Sequence, residues 1–367
     1  MDTDLFIIGG GPAGLAAAIA ARFRGLRVMV ADGNRPPIDK ACGEGLMPDS
    51  IAAASRIGIV LPEREGFRFP GIRFHGEGHS VAAGFPQGYG VGFRRIVLHH
   101  HLVEQAARAG VEMLWSTTIT GIAGNTVQAP GRSFSTRWIV GADGSGSRVR
   151  RWAGLDRFTR NSRRFAYRRH FARKPWTEFM EIYWGDACQI YVTPVSSEEV
   201  CVALICRTPD LRLAEALRRF PQLASHLSGA IASSNERGAV TATSRLKAVV
   251  RGNVALIGDA SGSVDAVTGE GLCQAFQQSE ALVTALAAGD LAQYAKAHRS
   301  IGFRPAFMAD LMLSMDRWPF IRRRALSTLA AKPQSFANLL AGHVGALSPR
   351  QILGASLTLG WHMLFRS

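Results

Sequence analysis

Acidic residues are scarce in this chain of 367 residues: 28 Asp and Glu face 43 Lys and Arg, a formal charge of +15 at pH 7. Charged residues make up only 19% of the total and apolar ones 47%, which excludes a disordered polyelectrolyte and leaves material for a large buried core. Cysteine is as sparse. The five, Cys42, Cys188, Cys201, Cys206 and Cys273, are odd in number and include no CxxC pair, so neither a disulfide framework nor a cysteine-based zinc site organises the chain. A reducing, cytoplasmic setting is expected. Long hydrophobic runs are missing too: the longest nearly uncharged apolar stretch, residues 352–365, has 14 residues, short of the ~20 a membrane-crossing helix needs. Residues 5–8 form an apolar run that follows Asp2 and Asp4 and ends in glycines, unlike a secretory signal.

The surplus of positive charge should attract anions: phosphates, nucleic acid or an acidic membrane surface. It is clustered. Residues 137–174 hold twelve Lys and Arg against Asp143 and Asp156, and after Asp316 there are seven basic residues and no acid. Neither cluster combines interleaved aromatics with the recognised fold of a dedicated nucleic-acid binder, so no nucleic-acid partner is expected. In the second, Arg317, Trp318, Phe320, Arg322, Arg323 and Arg324 mix cations and aromatics as an interfacial helix does, and peripheral membrane contact is expected there, against the plainer reading of a basic surface. The sequence assigns no oligomeric state.

Residues 5–8 read as a buried strand, 14–24 as an alanine-rich helix and 27–30 as a second strand: a βαβ unit and hence a parallel sheet. Residues 67–90 alternate in short β-like runs, 96–108 return to helix, and 138–140 form a strand. Runs at 179–184, 190–194 and 200–206 suggest an antiparallel sheet. Residues 254–257 and 271–288 read as a strand and a long helix that complete the first sheet. From 300 onward the pattern is helical, with Pro305, Pro319, Pro333 and Pro349 as expected breaks.

Gly9, Gly11 and Gly14 form GxGxxG between the first strand and helix, with Pro12 and Ala13 inside the motif. Gly9 allows the tight turn, Gly11 lets the backbone approach a pyrophosphate, and Gly14 lets helix and strand pack closely. The helix N-terminus then stabilises phosphate charge. Asp32 stands 18 residues beyond Gly14, at the end of the second strand, where a carboxylate accepts from a ribose diol. A second motif is Gly258 and Asp259, followed by Gly269, Glu270, Gly271 and Leu272 at the start of a helix. A third is Gly141, Ala142, Asp143 and Gly144, with Ser147 and Arg150.

Together, over roughly residues 4–290, the three motifs resemble the flavoprotein superfamily of p-hydroxybenzoate hydroxylase and geranylgeranyl reductase. The resemblance implies bound FAD, with Asp259 on the ribityl chain, backbone around Gly271 and Leu272 at the flavin, and Asp143 touching both FAD and a transiently docked NAD(P)H. It also implies Arg95 near the FAD phosphates, Ile119 by the adenine, and Cys42 and Gly43 approaching the isoalloxazine. Only one GxGxxG is present, so no resident NAD(P)H domain is expected. The implied fold is α/β: a Rossmann-like FAD-binding domain of residues 1–66, 92–157 and 245–299, an antiparallel-sheet substrate domain of 67–91 and 158–244, and a helical region of 300–367.

Two features point in different directions within that superfamily. The run from Lys40 to Leu46 is similar to the Cys-Gly segment of polyprenyl and quinone reductases, and Ala266 replaces the usual proline at the flavin face. Tyr191, Val192, Thr193 and Pro194 are closer to hydroxylases of polyketide-type phenols. The leading expectation is an NAD(P)H-dependent monooxygenase acting on a lipophilic aromatic or polyketide-like small molecule. The alternatives are a reductase saturating an isoprenoid or quinone side chain, and a flavoprotein electron carrier. Trp184 and Tyr191 are candidate substrate residues; strand alternation puts Tyr183 and Trp184 on opposite faces. Cys42, beside cationic Lys40, reads as a redox or proton-transfer thiol or as a small residue shaping its loop. Glu270 reads as a proton donor or a helix cap. His99, His100 and His101 point about 100° apart on a helix and cannot converge on one metal.

Overall fold

The computed structural model describes residues 1–160 and 163–365. Its first sheet runs in the order Val250–Arg251, Val254–Leu256, Arg132–Gly141, Thr3–Ile8, Val28–Ala31, Glu112–Leu114. All these pairings are parallel except that of the edge strand Val250–Arg251. A parallel sheet is covered on both faces, which is why its strands read as unbroken apolar runs: Leu5, Phe6 and Ile7 are wholly buried. The late strand Val254–Leu256 does join this sheet, two places from Thr3–Ile8, with Arg132–Gly141 between them. Helix α1 (Pro12–Phe23) crosses one face, and its alanines 16, 17, 18, 20 and 21 are all buried. Their small size admits close neighbours. Around it lie α2 (Pro48–Arg56) and α3 (Arg95–Arg108), while the short α4 (Arg148–Trp152) follows the Asp143 turn.

The second sheet runs Ile231–Ala232, Arg164–Ala172, Glu199–Cys206, Cys188–Pro194, Met180–Gly185, Gly71–Gly76, His79–Gly84, with Arg237–Thr241 also on Arg164–Ala172. Among the described residues it is antiparallel except where Met180–Gly185 meets Gly71–Gly76. Alternation divides its side chains. Tyr183, Ile190, Val192, Val202 and Leu204 face a core shared with α5 (Leu213–Leu217) and α6 (Pro221–His226). Ile182, Trp184, Tyr191, Ala203 and Ile205 face the other way, toward the C-terminal helices. Residues 67–69 and 90–91, expected in this sheet, instead belong to a separate three-stranded one, in which Gly90–Gly92 lies between Gly45–Leu46 and Phe67–Phe69. Glycine lets this small sheet lie against the second one: a Cβ on Gly92 would be 1.9 Å from the Pro194 carbonyl oxygen.

Helix α7 (Gly271–Ala287) packs on α1 and α2, and α8 (Leu291–Arg317) follows it. The expected boundary at residue 300 falls inside α8, and Pro305 sits within that helix rather than ending it. The other three prolines begin helices, α9 (Pro319–Ala331), α10 (Pro333–His343) and α11 (Pro349–Phe365), because a first-turn residue has no intrahelical N–H bond to lose.

One buried ionic network fastens α8 to the second sheet. Arg164 lies 3.3 Å from Asp265 and 3.4 Å from Asp316, and Asp316 also accepts from Gln189 at 2.5 Å and from Arg207 Nε at 2.9 Å. Removing one partner strands the others' charge away from water. Arg164→Met is therefore expected to lower unfolding free energy by about 3–5 kcal/mol. Urea midpoints would measure it, and a shift near zero would show that the network does not hold α8.

Candidate active site

A cavity of about 930 Å³ lies between the first sheet and the second. It opens at the carboxyl ends of the parallel strands, where open α/β sheets receive ligands. On the first-sheet side it is lined by Gly9, Gly11, Pro12, Ala13, Asp32, Arg95, Ile119 and Asp143, and then by Gly258, Asp259, Gly269, Gly271 and Leu272. Cys42, Gly43, Met180, Tyr191, Ala203 and Ile205 line it toward the second sheet.

The glycine turn is built by close approach. Gly9 has φ +119°, and a Cβ there would stand 2.4 Å from the Ala142 carbonyl oxygen; one on Gly14 would stand 1.9 Å from that of Gly9. Gly14 accordingly packs helix to strand and does not line the cavity. The Gly10 amide donates to Asp32 Oδ2 at 2.8 Å. The Gly10 carbonyl lies 2.9 Å from His99 Nε2, and the Ile38 amide donates to His99 Nδ1 at 3.4 Å, so Nε2 carries the proton and the ring is neutral. Burial lowers the His99 pKa, in keeping with that form. His100 and His101 turn outward to Glu104 and Glu65.

FAD fits these residues. At Gly11, Gly43, Gly144, Gly269 and Gly271, all on the cavity wall, an added Cβ would meet no atom within 4 Å and would project into the space. The α1 N-terminus has no side-chain cap and no acid in its first turn, which leaves its amides for an anion. Arg95 lines the cavity with its Nε buried and without a hydrogen-bond partner.

Two predicted contacts are already engaged. Asp259 pairs with Lys40 at 2.7 Å across the mouth. Asp143 accepts from Ser147 Oγ at 2.5 Å and from the Arg148 amide at 2.7 Å, so its carboxylate shapes the turn into α4. Arg150 links this turn to Asp156 at 2.8 Å and to the Ala260 carbonyl at 3.4 Å. Ala266, standing where proline was expected, uses the N–H that proline lacks to donate to Thr241 Oγ1 at 2.9 Å.

Tyr191 lines the cavity and donates to the Val267 carbonyl at 2.7 Å, joining the second sheet to the loop before α7. Trp184 does not line it. Seven positions earlier than Tyr191 on the adjacent strand, it is buried against Phe74 (ring centroids 5.7 Å apart) on the side toward α9. Tyr183 faces the opposite side, stacked on His75 and donating to Glu181 at 2.8 Å. Cys42 is in the cavity, but its expected cationic neighbour is occupied: Lys40 is committed to Asp259, and the thiol sulfur instead accepts the Glu44 amide at 3.4 Å. Glu270 neither caps α7 by its side chain nor faces the cavity. It is buried 3.5 Å from Arg304 and 3.8 Å from His343, and burial raises its pKa.

The residue missed from the sequence is Glu44. It is buried, with φ +61°, and its carboxylate accepts the Arg95 amide at 2.9 Å and meets His170 Nε2 at 2.6 Å. Arg168 Nε lies 3.7 Å away, and His170 Nδ1 meets Ser234 Oγ at 2.8 Å. The available signal was an acid within a glycine-rich loop, answered by the Arg- and His-rich strand Arg164–Ala172.

The FAD binding domain family matches residues 2–290. Menaquinone reductase of Mycolicibacterium smegmatis is 25% identical over 354 residues, covering 86% of this chain and 85% of its own. A putative 2-heptyl-3-hydroxy-4(1H)-quinolone synthase of Rhodococcus erythropolis is 27% identical over 288 residues, covering 72% and 74%. Among solved structures, a flavoprotein/dehydrogenase from Cytophaga hutchinsonii superimposes with a TM-score of 0.83 at 16% identity, covering 97% of this chain and 96% of that one.

Asp259→Ala and Arg95→Met are each expected to weaken FAD binding at least ~10-fold, the loss of one charge-assisted contact. Flavin fluorescence titration of the stripped protein measures this, and undiminished affinity in both variants would contradict the placement. A pH effect follows from His298, whose Nε2 meets Ser261 Oγ at 2.8 Å beside the Asp259 turn. Burial lowers its pKa to about 4 from 6.5, so the folded state binds fewer protons than the unfolded one between those values. Stability should be complete above pH 6.5 and fall by up to about 3 kcal/mol as pH drops through 4. His298→Gln should flatten that part of a thermal-melt pH series.

Proposed function

The chain belongs to the FAD binding domain family and is an FAD-dependent oxidoreductase; from that premise we propose that it saturates a carbon–carbon double bond in the side chain of an isoprenoid- or quinone-type lipid. The observation that carries this reading is the loop from Lys40 to Leu46. It forms part of the cavity wall, presents Cys42 to the interior, and is fixed by Glu44, which also lines the cavity and bonds the Arg95 amide and His170. The menaquinone reductase, aligned over most of both chains, supports it.

FAD bound in the cavity supplies transfer of two electrons, with NAD(P)H as the transient reductant. The chain's own part is to bind, orient and exclude water. The α1 N-terminus and Arg95 hold the pyrophosphate, Asp32 the ribose, Ile119 packs by the adenine, and Asp259 holds the ribityl chain. The α7 N-terminus places its positive end near the flavin and favours negative charge there. Met180, Ala203, Ile205 and Met47 give the hydrocarbon a dry wall, for which a simple electron carrier has no use. Cys42 brings its Sγ to the cavity wall, where saturation of the double bond consumes one proton.

A second reading, hydroxylation of a lipophilic aromatic, is favoured by the quinolone synthase alignment. Oxygen separates the two. Substrate-stimulated NAD(P)H oxidation with menaquinone-type or geranylgeranyl lipids should persist anaerobically and give a product heavier by two hydrogens. Dependence on oxygen, with an oxygen atom in the product, would establish hydroxylation instead. Cys42→Ala should slow product formation ~100-fold while leaving flavin reduction by NAD(P)H unchanged.

A further inference from the structure

Helix α11 is apolar on both sides, one buried against the protein and the other exposed. Ile352, Leu359 and Met363 face the protein, with Leu359 and Met363 in the core cluster that contains Tyr191 and Ile205. Leu353, Leu357 and Trp361, spaced i, i+4, i+8 and so aligned on one face, are 53%, 65% and 59% exposed. At the start of α9, Phe320 is 67% exposed, and Trp318 just before the helix is 42% exposed. Arg324 of α9 donates to the Met363 carbonyl at 3.1 Å, which sets the basic turn of α9 against the last turn of α11.

We propose that α11 and the adjoining face of α9 dock on an anionic lipid surface, with α11 lying in the plane of the interface. Charge selects that occupant. From residue 317 onward the sequence has seven basic residues and no acid, so this segment of a second copy would meet it with like charge. The cations are not quite those the sequence alone suggested: Arg322 is buried and paired with Glu77 and Asp186, while Arg317, Arg323, Arg324 and Arg350 are at the surface, Arg323 3.5 Å from Glu77. Arg317 stacks over Trp318, its carbon 5.0 Å from the ring centre, the pairing of cation and amphipathic ring that suits the headgroup level. No helix among the described residues is long and apolar enough to cross a membrane, and a 17-residue helix with one apolar stripe instead rests on it. The proposal does not depend on which reaction the flavin performs.

Vesicle flotation of the intact flavoprotein tests it. The protein should float with vesicles of equal parts phosphatidylglycerol and phosphatidylcholine, and binding should fall at least tenfold with phosphatidylcholine alone or in high salt. Leu353→Ser/Leu357→Ser/Trp361→Ser should lose binding tenfold or more with an unchanged flavin spectrum and thermal midpoint. Arg317→Gln/Arg323→Gln/Arg324→Gln should lose it for anionic vesicles selectively. Wild-type protein that stays with the soluble fraction, binding that survives the apolar triple substitution, or light scattering showing a dimer that this substitution dissociates would each overturn the proposal.

Discussion

The Glu44 carboxylate is the point on which the site's three segments converge. One side chain ties the Cys42 loop to the first turn of α3 and to the strand Arg164–Ala172 of the second sheet. The segments lie around positions 44, 95 and 170, so nothing local in the chain brings them together. The residue adopts a left-handed backbone conformation that costs a non-glycine about 1–2 kcal/mol, and it buries a charge that would cost several more if unpaired. Both terms are offset only when Arg95, His170 and Arg168 are in place. The loop is thus held in one geometry by a conditional interaction, and the cavity wall depends on it.

Around that anchor the architecture divides its work. The first sheet is made of strands distant in sequence but buried together, and its glycine turn is fixed by contacts too close for any Cβ. The second sheet uses alternation to serve two cores: one face packs on α5 and α6, and the other supplies both cavity wall and seating for the C-terminal helices. The Arg164, Asp265 and Asp316 network then binds α8 and the loop before α7 to that sheet.

The cofactor side of the site was legible because its requirements are local. Gly9, Gly11, Gly14 and Asp32 act through backbone geometry within one βαβ unit, and Gly269 and Gly271 sit at a helix start that the sequence announces. The partner side was not. Arg164–Ala172 escaped notice as a strand because three arginines and a histidine look solvated, whereas Arg164, Arg168 and His170 are buried among acids from elsewhere in the chain. Glu44 was hidden for the converse reason, since its partners, the Arg95 amide and the His170 ring, are 51 residues or more away. Alternation correctly separated Tyr183 from Trp184, but how far along the strand the cavity reaches is set by where α9 and α10 cover the sheet, which no local pattern records. Pro305 shows the same limit: packing retained a helix that propensity would have ended.

Tyr191, Met180, Ala203 and Ile205 belong to one continuous apolar cluster with Leu326, Leu329, Phe336 and Leu340 of α9 and α10. Interiors are close-packed, so a change of volume at any of these helix positions is transmitted through the cluster to the cavity wall. The shape offered to a substrate is therefore inherited partly from residues that never touch it. The cavity can thus be reshaped through the C-terminal helices alone, while every residue that lines it stays fixed.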